Sequence, residues 1–142
     1  VVVSRFHQRI TTKLLRGAQA CFRQHGVPPR NIRLYRCPGA FELPQVANLL
    51  VSQARWDAVL CLGAVIRGET AHFEYVASES ARGIQQVALQ NRTPVIFGLL
   101  TTDTEEQAHA RAGGLHGNKG WDAALAAIEM ATLFRTVRNE AP

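Results

Sequence analysis

Ala58-Val59-Leu60-Cys61-Leu62-Gly63-Ala64-Val65-Ile66-Arg67-Gly68-Glu69-Thr70-Ala71-His72-Phe73-Glu74-Tyr75-Val76 passes from an uninterrupted apolar run, through a short turn at Gly68, into a helical pattern. The apolar part reads as a buried strand and the remainder as the helix that it feeds. In an open α/β sheet, ligands settle beyond the carboxyl ends of the parallel strands, where the first N–H groups of the next helix favour an anion. Gly68-Glu69-Thr70-Ala71 is therefore a candidate phosphate seat, with His72 beside it as a candidate proton-transfer group. The turn alone leaves a second reading open. Gly and Thr serve at such turns as caps, a lone histidine is often structural, and neither GxGxxG nor GxxxxGK[ST] is present.

Working outward, strands and helices alternate along the chain. Val1 to Phe6 reads as a short strand, and Thr11 or Thr12 can cap a helix to about His25, with Leu14, Leu15, Ala18, Cys21 and Phe22 inward and Gly26 past its end. After Pro28-Pro29, a strand is expected from Asn31 to Cys37. A helix then runs through Pro44, Val46, Leu49 and Leu50 to about Gln53. The helix after the central strand spans about His72 to Gln90, with Phe73, Val76, Ala77, Ile84 and Val87 inward. Pro94 to Leu100 is the next buried strand, which Thr101-Thr102-Asp103-Thr104 leaves. Thr104 and Gln107 have capping-box spacing for a short helix carrying Arg111. Gly113 to Gly120 reads as a flexible connection, and the last helix, from about Trp121 to Val137, places Ala124, Leu125, Ile128 and Leu133 on one face. The alternation argues for a parallel sheet with helices on both faces, a three-layer α/β/α sandwich in one domain, residues 1–142.

The composition, 46% hydrophobic and 19% charged, is that of one globular core. The net charge of +5 comes from scattered Lys and Arg with no aromatic interleaving, which suits small anionic ligands and argues against nucleic acid. No membrane-length apolar segment or signal peptide is recognisable. Cys21, Cys37 and Cys61 form no CxxC, and Cys21 and Cys61 read as small buried residues in a reducing compartment. The beginning, Val1-Val2-Val3 without methionine, suggests that an N-terminal segment precedes it.

All strand-to-helix turns of such a sheet lie on one edge, which would gather Phe6 and His7, Phe41 and Glu42, Glu69 to His72, and Thr101 to Asp103. Aromatics there can stack on a flat ring, Glu42 can accept hydrogen bonds from hydroxyls, and Arg111 and Lys119 are cations for a phosphate. Each is read equally as a cap or a solvated charge, but four such turns together favour a shared pocket. His25, His109 and His116 lack metal-ligand spacing, and there is no nucleophile elbow, catalytic-cysteine signature or nicotinamide fingerprint. The residues thus point to a phosphorylated, partly aromatic substrate pair and acid–base chemistry, with neither metal nor cofactor expected.

Ser4-Arg5-Phe6, Pro38-Gly39-Ala40-Phe41-Glu42-Leu43-Pro44, Leu62 to Phe73, Val95 to Thr102 and Gly117-Asn118-Lys119-Gly120 closely resemble the 6,7-dimethyl-8-ribityllumazine synthase family, in order and over nearly the whole chain. The resemblance implies a flavodoxin-like sheet and the penultimate step of riboflavin biosynthesis. In that step a ribitylaminopyrimidine condenses with 3,4-dihydroxy-2-butanone 4-phosphate. By the same resemblance His72 is the proton donor and acceptor. Phe6 stacks on the pyrimidine with Ala64, Val65 and Ile66 giving backbone contacts, and Ala40, Phe41 and Glu42 hold the ribityl chain with His7 bordering it. Glu69, Thr70 and Ala71 form the phosphate turn, and Phe97, Arg111 and Lys119 reach the site from a neighbouring subunit.

The family further implies a cytoplasmic homo-oligomer, or a plastid one in a plant. Its active sites lie between adjacent subunits of a pentamer, in some members packed into a sixty-subunit icosahedral shell, and riboflavin synthase is the protein partner to expect. His7 stands where the family usually has Asn, and Cys37 where it has a small aliphatic residue or Thr. A scaffold that kept only the fold, or a non-catalytic flavin or lumazine binder, are the other classes. Joint retention of Glu42, Thr70, His72, Arg111 and Lys119 favours the enzyme.

Overall fold

In the computed structural model, which describes residues 1–53 and 55–140, four parallel strands form the central sheet in the order β2-β1-β3-β4. The strands are β1 (Val2–Ser4), β2 (Tyr35–Cys37), β3 (Val59–Ile66) and β4 (Val95–Thr102). Val3 pairs with Arg36 on one side and Leu62 on the other, and β3 and β4 run flush from Val59 beside Val95 to Ile66 beside Thr102. The sheet grows from β1 to β2 in one direction and then from β1 to β3 in the other. A topological switch point therefore lies between β1 and β3, where the crevice of a doubly wound sheet opens at the carboxyl ends.

Both faces are covered. Val59, Cys61 and Val65 of β3, with Val2 and Leu99, pack under α2 (Leu43–Val51) and α3 (His72–Gln90). Leu60 and Leu62, with Val3, pack under α1 (Gln8–Gln24) and α5 (Lys119–Glu140). Ala64 and Leu100 meet Ile10 and Leu14 of α1 and Ala108 of α4 (Glu105–Arg111). Successive side chains of a strand point to opposite faces, so burial on both removes any polar alternation. The three-layer α/β/α sandwich with a parallel, flavodoxin-like sheet is the observed architecture.

Several boundaries differ from the sequence reading. Helix α1 starts at Gln8 instead of after Thr11 or Thr12, because His7 takes left-handed backbone (φ 54°, ψ 46°) and turns the chain sharply out of β1. Thr11 is buried within that helix. Residues Pro29–Asn31 form a single 3₁₀ turn, which leaves β2 only Tyr35–Cys37. Helix α2 stops at Val51, short of Gln53, with Leu49 facing solvent and Leu43, Ala47, Leu50 and Val51 as the buried stripe. Helix α3 spans His72–Gln90 as expected. Strand β4 continues through Thr101 and Thr102, which pair with Val65 and Ile66.

The connection read as flexible is an antiparallel hairpin of β5 (Ala112–Gly114) and β6 (Gly117–Asn118), and α5 starts directly after it. Asn118 imposes this order. Its Oδ1 accepts from the backbone N–H of Gly120 (2.9 Å) and Trp121 (3.2 Å), capping α5, while its Nδ2 donates to the carbonyl of Lys13 in α1 (2.9 Å). Gly120 lies directly against α1, where a Cβ would collide with the Leu14 carbonyl. Leu133, read on one face with Ala124, Leu125 and Ile128, is exposed, while Ala124 is fully buried. A hollow of about 910 Å³ opens at the amino edge of the sheet, around Val1, Tyr35, Trp56 and Ile128, and holds none of the candidate residues. The expected domain, 1–142, includes Ala54, Ala141 and Pro142, which lie outside the described residues.

Candidate active site

Beyond β1 the chain stays zipped to the exit of β2, with Arg5 N–H on the Cys37 carbonyl (2.9 Å) and Phe6 N–H on the Pro38 carbonyl (3.0 Å). This sets Phe6 beside the Pro38–Glu42 turn, and both Phe6 (67%) and Phe41 (57%) keep most of their surface in solvent. Two exposed rings at a sheet edge are an informative departure from burial. His7 stands edge-on to Phe6, its centroid 4.6 Å away at 75°. Burial lowers the His7 pKa, and the Glu105 carboxylate opposes that shift.

The Pro38–Glu42 turn is folded on itself. Glu42 Oε2 accepts from Gly39 N–H (2.9 Å), and the Cys37 thiol donates to the Gly39 carbonyl (3.3 Å). Ala40 is buried, and one carboxylate oxygen of Glu42, Oε1, has no hydrogen-bond partner among the described residues. Burial, with the Glu42 carboxylate adding to it, pushes the Cys37 thiol pKa up.

Across the switch point, β3 outruns β1. The register puts Val3 beside Leu62, so Ile66 extends past the end of β1. Val59 N–H donates to Pro94 and Arg67 N–H to Thr102, which assigns the odd-numbered backbone groups of β3, Val65 included, to the β4 ladder. The N–H and C=O of Ile66 consequently face the crevice. Ala64 and Val65 are buried, and their side chains pack into opposite layers of the core.

Glu69, Thr70, Ala71 and His72 are all exposed. Ala71 is the N-cap of α3 and offers no side-chain cap, and Thr70 Oγ1 accepts from His72 N–H at 3.4 Å. Glu74 N–H already donates to the Ala71 carbonyl (3.0 Å) and His72 N–H is held only by that long bond, so Phe73 N–H, with His72 N–H on release of Thr70, is what the start of α3 offers an anion. Arg67, which the sequence reading passed over, closes this turn from behind. Its Nε donates to Asp103 Oδ1 (2.7 Å), its Nη1 to Glu74 Oε1, and its Cζ lies 4.3 Å from the centroid of Phe73. The available sequence signal was an arginine directly at the strand's end with an acid seven residues on.

The remaining candidates fall elsewhere. Phe97, Arg111 and Lys119 line a cleft of about 470 Å³ along the outer flank of β4, together with Thr101 and Asp122. Phe97 is 46% exposed, and β4 has no strand on its far side among the described residues. Lys119 Nζ pairs with Asp122 Oδ2 (2.8 Å), and Arg111 Nη1 donates to the Gln107 carbonyl (3.2 Å). Thr104 caps the short helix that carries Arg111, its Oγ1 accepting from Gln107 N–H (3.2 Å), while the Gln107 side chain reaches back to Asp103 N–H (3.0 Å). One chain therefore presents two surfaces: an aromatic, carboxylate and helix-terminus surface at the carboxyl edge, and an aromatic, cationic one on the flank of β4.

Among the described residues no three His, Cys, Asp or Glu side chains gather as a metal set, and no helix is long and apolar enough to cross a membrane. The three cysteines are free and buried, with Cys61 pushed up to about 12 by desolvation. What the two surfaces can do is stack a flat ring, accept hydroxyls and receive an anion. The family model of 6,7-dimethyl-8-ribityllumazine synthase matches residues 1–135, and the chain belongs to that family.

Proposed function

We propose that the protein condenses 5-amino-6-(D-ribitylamino)uracil with 3,4-dihydroxy-2-butanone 4-phosphate to 6,7-dimethyl-8-ribityllumazine, a transferase reaction that releases phosphate and water in the penultimate step of riboflavin biosynthesis. The family match over residues 1–135 supports the activity. The observation that carries the site is the crevice at the switch point. There the exposed ring of Phe6 and the uncapped start of α3 flank the free backbone groups of Ile66.

Phe6 stacks on the pyrimidine, Ile66 bonds its polar edge, and the free oxygen of Glu42 accepts a ribityl hydroxyl. The amine of the pyrimidine is the nucleophile and adds to the butanone carbonyl. Water leaves as the imine forms, phosphate departs as a proton is lost, and the second nitrogen closes the ring with loss of another water. His72 moves these protons, and the Glu69–His72 turn holds the phosphate. Holding two reactants in place is worth roughly 7–11 kcal/mol, whereas a general acid or base gives about 10²–10⁴-fold in rate, so positioning dominates.

Phe97, Arg111 and Lys119 complete the site from an adjacent copy, which accounts for their place on the flank of β4. The assembly is a cytoplasmic pentamer, in its larger form a sixty-subunit shell, and riboflavin synthase is the partner that uses the product. Closed rings of this kind join two different patches of the same chain, as the two candidate surfaces are.

Purified protein mixed with both substrates tests the reading, with lumazine absorbance and phosphate release followed above the spontaneous background. Acceleration that disappears when Phe6 and Arg111 are both replaced supports it. No acceleration by assembled protein overturns it, and light scattering distinguishes pentamer from shell.

A further inference from the structure

We propose that Arg67 is a positioning residue for the Gly68–His72 turn, clasping its two ends so that the turn receives the substrate phosphate while Arg67 itself does not touch it. The proposal rests on the reading of this turn as the phosphate seat. Arg67 leaves β3 with its N–H on the Thr102 carbonyl (2.9 Å), so its backbone is fixed by the β4 ladder. Its side chain then crosses the base of the turn to Glu74 in the first turn of α3, lies over the ring of Phe73 (4.3 Å), and is held by Asp103 at the exit of β4 (2.7 Å). Both ends of the turn and the neighbouring strand exit are joined through one guanidinium.

Within the turn there is little else to hold it. A Cβ at Gly68 would meet nothing within 4 Å, Glu69 to His72 are exposed, and the internal bond of His72 N–H to Thr70 Oγ1 is long, 3.4 Å. Removing the clasp would leave a short, solvated segment between two anchored elements.

The charges decide against direct contact with phosphate. One cation faces two carboxylates, Asp103 and Glu74, and one face of the guanidinium is covered by Phe73. The clasp as a whole is anionic, so attraction for phosphate comes from the α3 N-terminus and from cations elsewhere. Only a planar fork can satisfy two carboxylates in different directions and stack at the same time; an ammonium is a single point of contact. A single exposed ion pair contributes little, but a network of this geometry fixes conformation.

The test uses the assembled protein with Arg67→Met and Arg67→Lys. Misplacing a phosphate seat costs up to about a hundredfold, and the expected effect for Arg67→Met is a rise of about tenfold in the KM for the butanone phosphate and in the inhibition constant of inorganic phosphate, with the KM for the pyrimidine unchanged. Arg67→Lys falls between it and the parent. Independently of activity, the amides of His72 and Glu74, which bond to Thr70 Oγ1 and the Ala71 carbonyl, exchange faster in both variants. Unchanged exchange overturns the clasp. Faster exchange with unchanged phosphate inhibition and KM, in protein that is catalytically active, overturns its role at the phosphate. Should the parent protein prove inactive, the function assigned to the turn fails while the exchange data still read the clasp. If Arg67→Met does not fold, Arg67→Lys carries the same readings.

Discussion

His7 presents the edge of its imidazole to the ring of Phe6, 4.6 Å between centroids, from a backbone position at φ 54° that side chains bearing a Cβ seldom occupy. Left-handed backbone costs an ordinary residue about 1–2 kcal/mol, and Asn, whose short amide bonds locally, less. His7→Asn is therefore expected to keep the unfolding midpoint in urea near the parent's while raising the KM for the pyrimidine, because Phe6 loses its edge contact. His7→Val should lower stability by about 1–2 kcal/mol, since a β-branched side chain fits this region worst.

The same residue makes stability depend on pH. Burial lowers its pKa from 6.5 more than Glu105 raises it, so the folded protein binds fewer protons there than the unfolded chain. Its contribution is complete above pH 6.5 and is lost as the pH falls through the lowered folded value. Urea midpoints taken on either side of pH 6.5 should fall more in the parent than in His7→Asn.

Gly120→Ala tests the seam between α1 and α5. The added methyl meets the backbone of Leu14, which cannot step aside as a side-chain tip can, and a destabilisation of about 3 kcal/mol or more is expected. Gly68→Ala, with nothing near the new Cβ, should leave the thermal midpoint almost unchanged.

Two replacements separate proton transfer from anion binding. His72→Ala should slow turnover by about 10²-fold yet leave measurable activity, because orientation carries most of the acceleration. Arg111→Ala should act chiefly on the KM of the phosphorylated substrate. Steady-state kinetics with each substrate varied in turn resolves the two.

The thiols should be silent in the native state. Cys37 and Cys61 are buried with raised pKa values, Cys61 to about 12, and the reactive thiolate is scarce at neutral pH. A colourless-to-coloured disulfide reagent is expected to release almost no product until urea is added, after which Cys21, Cys37 and Cys61 all titrate.

The central strand could be read from sequence because Val59 to Val65 is buried on both faces, and the α3 boundaries because its apolar spacing begins and ends with the helix. The start of α1 could not, since a left-handed His7 with no capping hydrogen bond leaves no sequence mark. Gly113 to Gly120 reads as loose on composition. What orders it is Asn118 bonding to Lys13, a contact across 105 residues. Most carboxyl-edge residues followed from the position rule for parallel sheets. Arg67 did not, because its role depends on the register that sets Ile66 beside Thr102 and so brings Asp103 alongside.

The placement of Phe6 and Arg111 on different surfaces of one chain also has a genetic face. Copies damaged only at Phe6 keep a sound flank, and copies damaged only at Arg111 keep a sound edge. If copies share their sites in a ring as proposed, the two kinds expressed together in equal amounts meet at random, and about a quarter of the junctions unite two sound halves. Two alleles, each impaired in a different half of the site, would then give more activity together than either gives alone.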